Sequence, residues 1–146
     1  MKPILLNNDL LSLPCEDVSL EEGREIATLL IESMPSHGVG IAANQIGIQK
    51  RVCVVEVEER YCLINPKIVN AAGKILYTEG CLSFPGEHVL TERFTSVTVI
   101  ADNHEEALDF SEENLLECIC VQHEIDHLDG ITMFDRQHKK LIAEEA

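Results

Sequence analysis

The sequence predicts an α+β domain, and three observations carry that reading. Helical patterns lie towards the two ends of the chain, short β-branched runs fill the middle, and strands do not alternate regularly with helices. At 146 residues with 45% hydrophobic content, the chain has apolar material for one ordinary core, so a single domain over residues 1–146 with a short C-terminal tail is expected.

The first helix opens at Ser19, which with Glu22 three residues on forms a capping box ahead of Ile26, Leu29, Leu30 and Met34. Pro35 closes it. In 38–47, Gly-Val-Gly-Ile-Ala-Ala-Asn-Gln-Ile-Gly, glycines frame small apolar residues, a composition that lets backbone approach another group closely. Residues 51–57 and 61–64 read as strands, and Asn65-Pro66 as a turn or strand edge. An extended piece is expected at 75–77, a turn-rich piece at 79–86, and a further strand at 95–100, where Val97 and Val99 alternate with polar residues. The last element spans about 112–127, with Asp109 or Ser111 as N-cap, Glu112 and Glu113 in the first turn, and Gly130 as its stop. Leu116, Ile119, Cys120, His123 and His127 share one face of it by three-and-four spacing, which sends both histidines into the core.

A formal charge of -15 argues against a broad grip on nucleic acid, which needs clustered Lys and Arg. The apolar run near Met1 breaks after three residues, and no stretch approaches the roughly 20 apolar residues of a membrane span, so a soluble, intracellular protein is expected. The six cysteines are scattered, with no Cys-x-x-Cys pair, and Cys53, Cys118 and Cys120 read as small buried hydrophobes.

The sharpest chemical signal is His123-Glu124-Ile125-Asp126-His127. Residues four apart on a helix stand one above the other and can bring two imidazoles to one divalent metal, with Glu124 within reach of bound water as general base. A catalytic site of this kind usually takes a third protein ligand. Downstream, His138 lies in a polar stretch and Glu144 and Glu145 stand among the final residues; upstream, Cys81, His37, His88 and His104 are available. Cys81, in a glycine-flanked turn, is the best placed for presentation by a rigid loop, but the residues alone divide the choice evenly between it and the histidines.

Three segments, Gly38-Val39-Gly40-Ile41-Ala42-Ala43-Asn44-Gln45, Glu79-Gly80-Cys81-Leu82-Ser83 and Gln122-His123-Glu124-Ile125-Asp126-His127, resemble the signature motifs of the peptide deformylases, in the family's order and spacing. The resemblance implies mixed or antiparallel sheets packed around a central metal-binding helix carrying the His-Glu-x-x-His motif. It implies Cys81, His123 and His127 as ligands of one divalent metal per chain, Fe(II) in the cell and Zn, Ni or Co on purification. The implied activity removes the formyl group from formyl-methionyl peptides and nascent chains and releases formate. Metal-bound hydroxide attacks the formyl carbon, Glu124 serves as base and then acid, and Gln45, the Leu82 N–H and the metal hold the oxyanion. The peptide is expected to lie extended along Val39 and Gly40, with Gly80 facing it, and its methionine side chain to enter a pocket formed by Leu116, Ile119 and Cys120. Plain core packing accounts for those last three equally well.

Some features depart from the commoner family pattern. His37 stands where an acidic residue is frequent, and Asn44 where Pro or Thr is usual. Only 19 residues follow His127, and relatives use a longer extension to approach the ribosome, so such docking is not expected. Arg93 is read either as an arginine near the peptide or as a solvated surface residue. The protein is expected to be a monomer in the cytoplasm, or in a host's cytoplasm if phage-encoded, with no membrane or direct nucleic-acid contact.

Overall fold

In this computed structural model, residues 1–138 are described; Glu144 and Glu145 lie outside them. Ser19 accepts a hydrogen bond from the Glu22 N–H and starts helix α1 (Leu20–Ser33). Strands β1 (Gly40–Ala42), β2 (Val52–Glu56) and β3 (Arg60–Ile64) form one antiparallel sheet with β1 at its edge. A second antiparallel sheet joins β4 (Lys67–Ala72), β7 (Ser96–Ile100) and β8 (Leu108–Phe110) in the order β4-β7-β8. The hairpin of β5 (Ile75–Glu79) and β6 (Val89–Arg93) is the third. Helix α2 (Leu115–Leu128) follows a 3-10 turn, Glu112–Asn114.

The β-branched run in β2 has no polar face because both faces are covered. Val52 and Val54 join Ile26 and Leu30 of α1 in one cluster, while Cys53 and Val55 join Cys118, Val121, Ile125 and Leu128 of α2 in the other. On its far side α2 meets Val97, Val99 and Phe110 of the second sheet. The helix is therefore enclosed: every residue from Cys118 to Leu128 is buried, not one face alone as spacing predicts. Cys53, Cys118 and Cys120 are buried free thiols, as expected. No helix among the described residues is long and apolar enough to cross a membrane.

The α+β class with antiparallel sheets holds, but four strands go beyond the sequence expectations. β1 and β8 have three residues each, too few for a period. β4 carries a register shift between Ile68 and Asn70, which breaks its alternation. β6 turns Val89, Thr91 and Arg93 inward, and two polar residues on a buried face hide the pattern. At the last helix, Ser111 caps the 3-10 turn and Asn114 caps α2 by accepting from the Glu117 N–H, whereas Asp109 lies in β8.

Beyond α2 the chain turns at Gly130, whose φ is +74°. A Cβ there would come within 2.8 Å of the Ser12 carbonyl oxygen, on the N-terminal segment whose Cys15 N–H donates to the Leu128 carbonyl at 2.8 Å. Gly130→Ala combines left-handed backbone strain with a collision against main chain that cannot rotate away. It is expected to destabilise the protein by about 2 kcal/mol or more, read as a lower urea midpoint at unchanged slope.

Candidate metal centre

Helix α2 presents His123 and His127 one turn apart, and the loop after β5 brings Cys81 to them. The two Nε2 atoms are 3.2 Å apart, Cys81 Sγ is 3.4 Å from His127 Nε2, and all three donor atoms lie within 4.8 Å of one another. In a tetrahedral site with the usual bond lengths, two nitrogens sit about 3.3 Å apart and a sulfur and a nitrogen about 3.6 Å. The spacing of these atoms thus fits a zinc-sized or ferrous-sized cation, and a thiolate with two imidazoles suits a borderline-soft one. The third position is Cys81. His104 Nε2 lies against the Cys62 carbonyl at 3.1 Å, His138 Nδ1 against Glu92 at 2.7 Å, and His37 and His88 are exposed on the cleft wall.

A buried charge network orients the first imidazole. Glu79 Oε1 accepts from His123 Nδ1 at 2.7 Å, so Nε2 is the atom that faces Cys81 and His127. Arg93 donates twice to Glu79, at 2.5 and 2.8 Å, and once to Asp126 at 2.6 Å; Thr91 Oγ1 adds a donor to Glu79. Arg136 closes the network on Asp126. Arg93 is 4% exposed, so it is not a solvated arginine; the pairing of two carboxylates draws it inside, behind Glu79 of the cleft wall. This network escaped sequence reasoning. Its one legible trace is that Glu79 stands two residues before Cys81 and Asp126 three after His123, both within the motifs.

Burial works against charge throughout the site, and partners decide each outcome. Burial raises the Glu79 carboxyl, but hydrogen bonds from Arg93 and His123 outweigh it and hold the group at about 2. Burial lowers His123, yet Cys81 and Glu79 push it up to about 10; His127, buried beside the charge of His123, falls well below the ordinary range. Glu124 is pushed up to about 7 by burial, with His123 opposing the rise, and its Oε1 has no hydrogen-bond partner among the described residues. Gly40 accounts for the glycine in the first motif. A Cβ there would stand 2.5 Å from Glu124 Oε2, so the backbone of β1 can approach the carboxylate only without a side chain.

The centre forms the floor of a cleft of about 480 Å³. Val39, Gly40 and Gln45 stand on one side, Gly80, Cys81 and Leu82 on another, and Leu116, Ile119 and Cys120 with Glu124 come from α2. Every residue that the family resemblance implies for the site, apart from His127 beneath, thus lines one cavity. The Gln45 amide is fixed in both senses: Oε1 accepts from the Ala42 N–H at 2.9 Å, while Nε2 donates to Ser83 Oγ at 3.1 Å and faces Cys81 Sγ at 3.8 Å. Ile119 and Cys120 are buried and Leu116 is 38% exposed, so they serve as core and cleft wall at once. Asn44, fully buried, donates to the His127 carbonyl at 2.6 Å and ties the turn carrying Gln45 to the end of α2.

The sequence matches the family described as polypeptide deformylase over residues 1–141. It is 40% identical over 144 residues to the peptide deformylase of Aquifex aeolicus, an alignment covering 91% of this chain and 85% of that one. Among solved structures, the peptide deformylase of Thermotoga maritima superposes with a TM-score of 0.84 at 30% identity, covering 94% of this chain and 98% of that one. A probable peptide deformylase of Synechococcus phage S-SSM7 superposes at 0.81 with 34% identity, covering 91% and 97%.

Two measurements test this geometry. Glu79→Gln is expected to weaken metal retention by about 10- to 100-fold in chelator competition, because the imidazole loses its anionic acceptor. The second concerns protein stripped of metal, in which the folded state keeps a proton on Glu124 between its ordinary 4.5 and about 7. Ionising that carboxyl in place costs stability, so stability is lost as pH rises through this window, by roughly 3 kcal/mol at its upper end. Glu124→Gln, which has no proton to lose, is expected to remove that share of the decline. Parallel stability profiles of the two proteins from pH 4.5 to 8 would contradict the raised pKa.

Proposed function

The chain belongs to the polypeptide deformylase family, and on that premise we propose that it removes the N-terminal formyl group from formyl-methionyl polypeptides, releasing formate. The observation that carries the reading is the convergence of Cys81 Sγ and two imidazole Nε2 atoms beneath a cleft whose wall holds a buried, unpartnered carboxylate. A divalent cation held by those three atoms supplies Lewis acidity, lowering the pKa of water and polarising the formyl oxygen. We take Fe(II) as the cellular metal, since an anionic sulfur ligand suits an electron-rich ferrous ion, with Zn, Ni or Co able to replace it.

Glu124 takes the proton of the attacking water and later returns it to the departing amine. With no hydrogen-bond partner on its Oε1 among the described residues, the Glu124 carboxyl is left able to take and return a proton. Gln45 Nε2 and the Leu82 N–H donate to the oxygen on which negative charge develops. The Leu82 N–H makes no hydrogen bond among the described residues, and the Gln45 amide is held with its nitrogen towards the cleft. The peptide adds along the free edge of β1 at Val39 and Gly40, using backbone bonds that read no sequence, and Gly80 leaves room for it opposite. Leu116, Ile119 and Cys120 receive the methionine side chain. Every group named belongs to one chain, so a monomer suffices, acting in the cytoplasm on chains as they emerge.

Formate release from formyl-Met-Ala-Ser, by protein prepared without oxygen and loaded in turn with Fe(II), Ni(II) and Zn(II), tests the reading. Rapid release abolished by a chelator is expected; one bound equivalent of each metal with no release from any would sink it. Glu124→Ala is expected to keep its metal and lose most turnover, and Cys81→Ser to lose metal as well. Gln45→Leu should lower kcat by about 10²–10³-fold with the metal retained.

A further inference from the structure

We propose that the N-terminal segment 4–11 is a strap that sets the position of the two oxyanion donors, with Asn7 as its positioning residue. The inference rests on the deformylase reading for its kinetic consequence, but its structural basis is separate. The Gln45 turn follows β1, and the loop bearing Leu82 and Ser83 follows β5, so the two donors hang from different sheets. The strap bridges them through main chain. The Leu5 N–H donates to the Gln45 carbonyl at 2.7 Å and the Asn7 N–H to the Ser83 carbonyl at 2.9 Å. Both acceptors are the backbones of residues whose side chains already meet, Gln45 Nε2 on Ser83 Oγ.

Apolar anchors fix the strap at both ends. Ile4 packs on the cluster of Ile41, Ala43 and Ile46 that seats the Gln45 turn. Leu11, 1% exposed, belongs to the cluster of Phe84, Val89 and Met133 that seats the Cys81 loop. Between these anchors the chain must change direction within a residue or two, and it does so at Asn7, whose φ is +44°. Asn tolerates that left-handed backbone far better than a branched residue does. Asn8 then accepts from the Leu10 N–H and opens the 3-10 turn Asp9–Ser12 that carries Leu11. The conformation of one exposed asparagine thus aims its N–H at the Ser83 carbonyl, next to Leu82. Misplacing a positioned donor by about 1 Å is enough to cost on the order of 10²-fold in rate.

The test compares Asn7→Gly, which keeps the positive φ and the N–H, with Asn7→Pro, which forbids both. Asn7→Gly is expected to match the parent. Asn7→Pro should lower kcat for formyl-Met-Ala-Ser by about 10-fold or more, with KM and bound metal unchanged. Placed on Gln45→Leu, it should still lower kcat, since the Leu82 N–H beside Ser83 is displaced whether or not the Gln45 amide is present. Independently of turnover, the Gln45 side-chain amide resonances of the Zn(II)-loaded protein should move in Asn7→Pro and stay in Asn7→Gly. If Asn7→Pro does not fold, Asn7→Val takes its place with the same expectations. A fall in melting temperature alone, with kcat and the Gln45 resonances at parent values, overturns the proposal. Should the parent itself release no formate, the deformylase reading fails, while the resonances still decide whether the strap holds the amide.

Discussion

Burying α2 together with its polar residues is the constraint on which the rest of the structure depends. Gln122, His123, Glu124, Asp126 and His127 are all taken out of water within one and a half turns, and the surrounding strands and turns supply partners to Gln122, His123 and Asp126. Gln122 spans the start of the β6–β7 turn, accepting from the Phe94 N–H and donating to its carbonyl, both at 2.9 Å. Asp126 and His123 converge on Arg93 and Glu79, so β5, β6 and α2 meet in one ionic knot. Such a knot adds little net stability, because desolvation offsets most of the attraction. What it contributes is geometry: the ring of His123 is held through Nδ1, and the direction of Nε2 follows.

The same knot divides the labour between two carboxylates on either side of His123. Glu79 is saturated by Arg93, His123 and Thr91 and stays ionised at any ordinary pH. Glu124 has no cationic hydrogen-bond donor among the described residues, sits against the bare backbone of Gly40, and in the metal-free site is pushed up to about 7 by burial. The two acids are thus made different by their surroundings: one keeps a permanent charge that orients His123, and the other is able to change charge.

The cleft above them is assembled from parts that share no sheet. β1 contributes an edge, the loop after β5 a thiol and an N–H left unengaged among the described residues, and α2 its inward face. Local contacts register these walls against each other: Asn44 to the end of α2, Gln45 to Ser83, and the strap from Ile4 to Leu11 across both loops. Asn44 adds a second donor to the His127 carbonyl, which also accepts from the Gly130 N–H at 3.1 Å, and so holds the Gln45 turn to the end of α2.

The sequence by itself determined the elements whose information is local. A capped amphipathic pattern located α1, an unbroken β-branched run located β2, and two histidines four residues apart announced a metal face, because helical geometry places them together whatever the rest of the chain does. The three motifs were enough to mark Gln45, Cys81 and Glu124 as members of one site. Tertiary structure alone decided the rest. That Cys81 is the third member of the cluster, that Arg93 is buried, that Glu79 is saturated and Glu124 left bare, and that Gly40 exists to admit a carboxylate all depend on groups 12 to 84 residues apart. The short strands β1 and β8 and the polar-faced β6 were hidden for a related reason. Their residues are chosen to meet neighbours across space, and a pattern read along the chain carries no record of them.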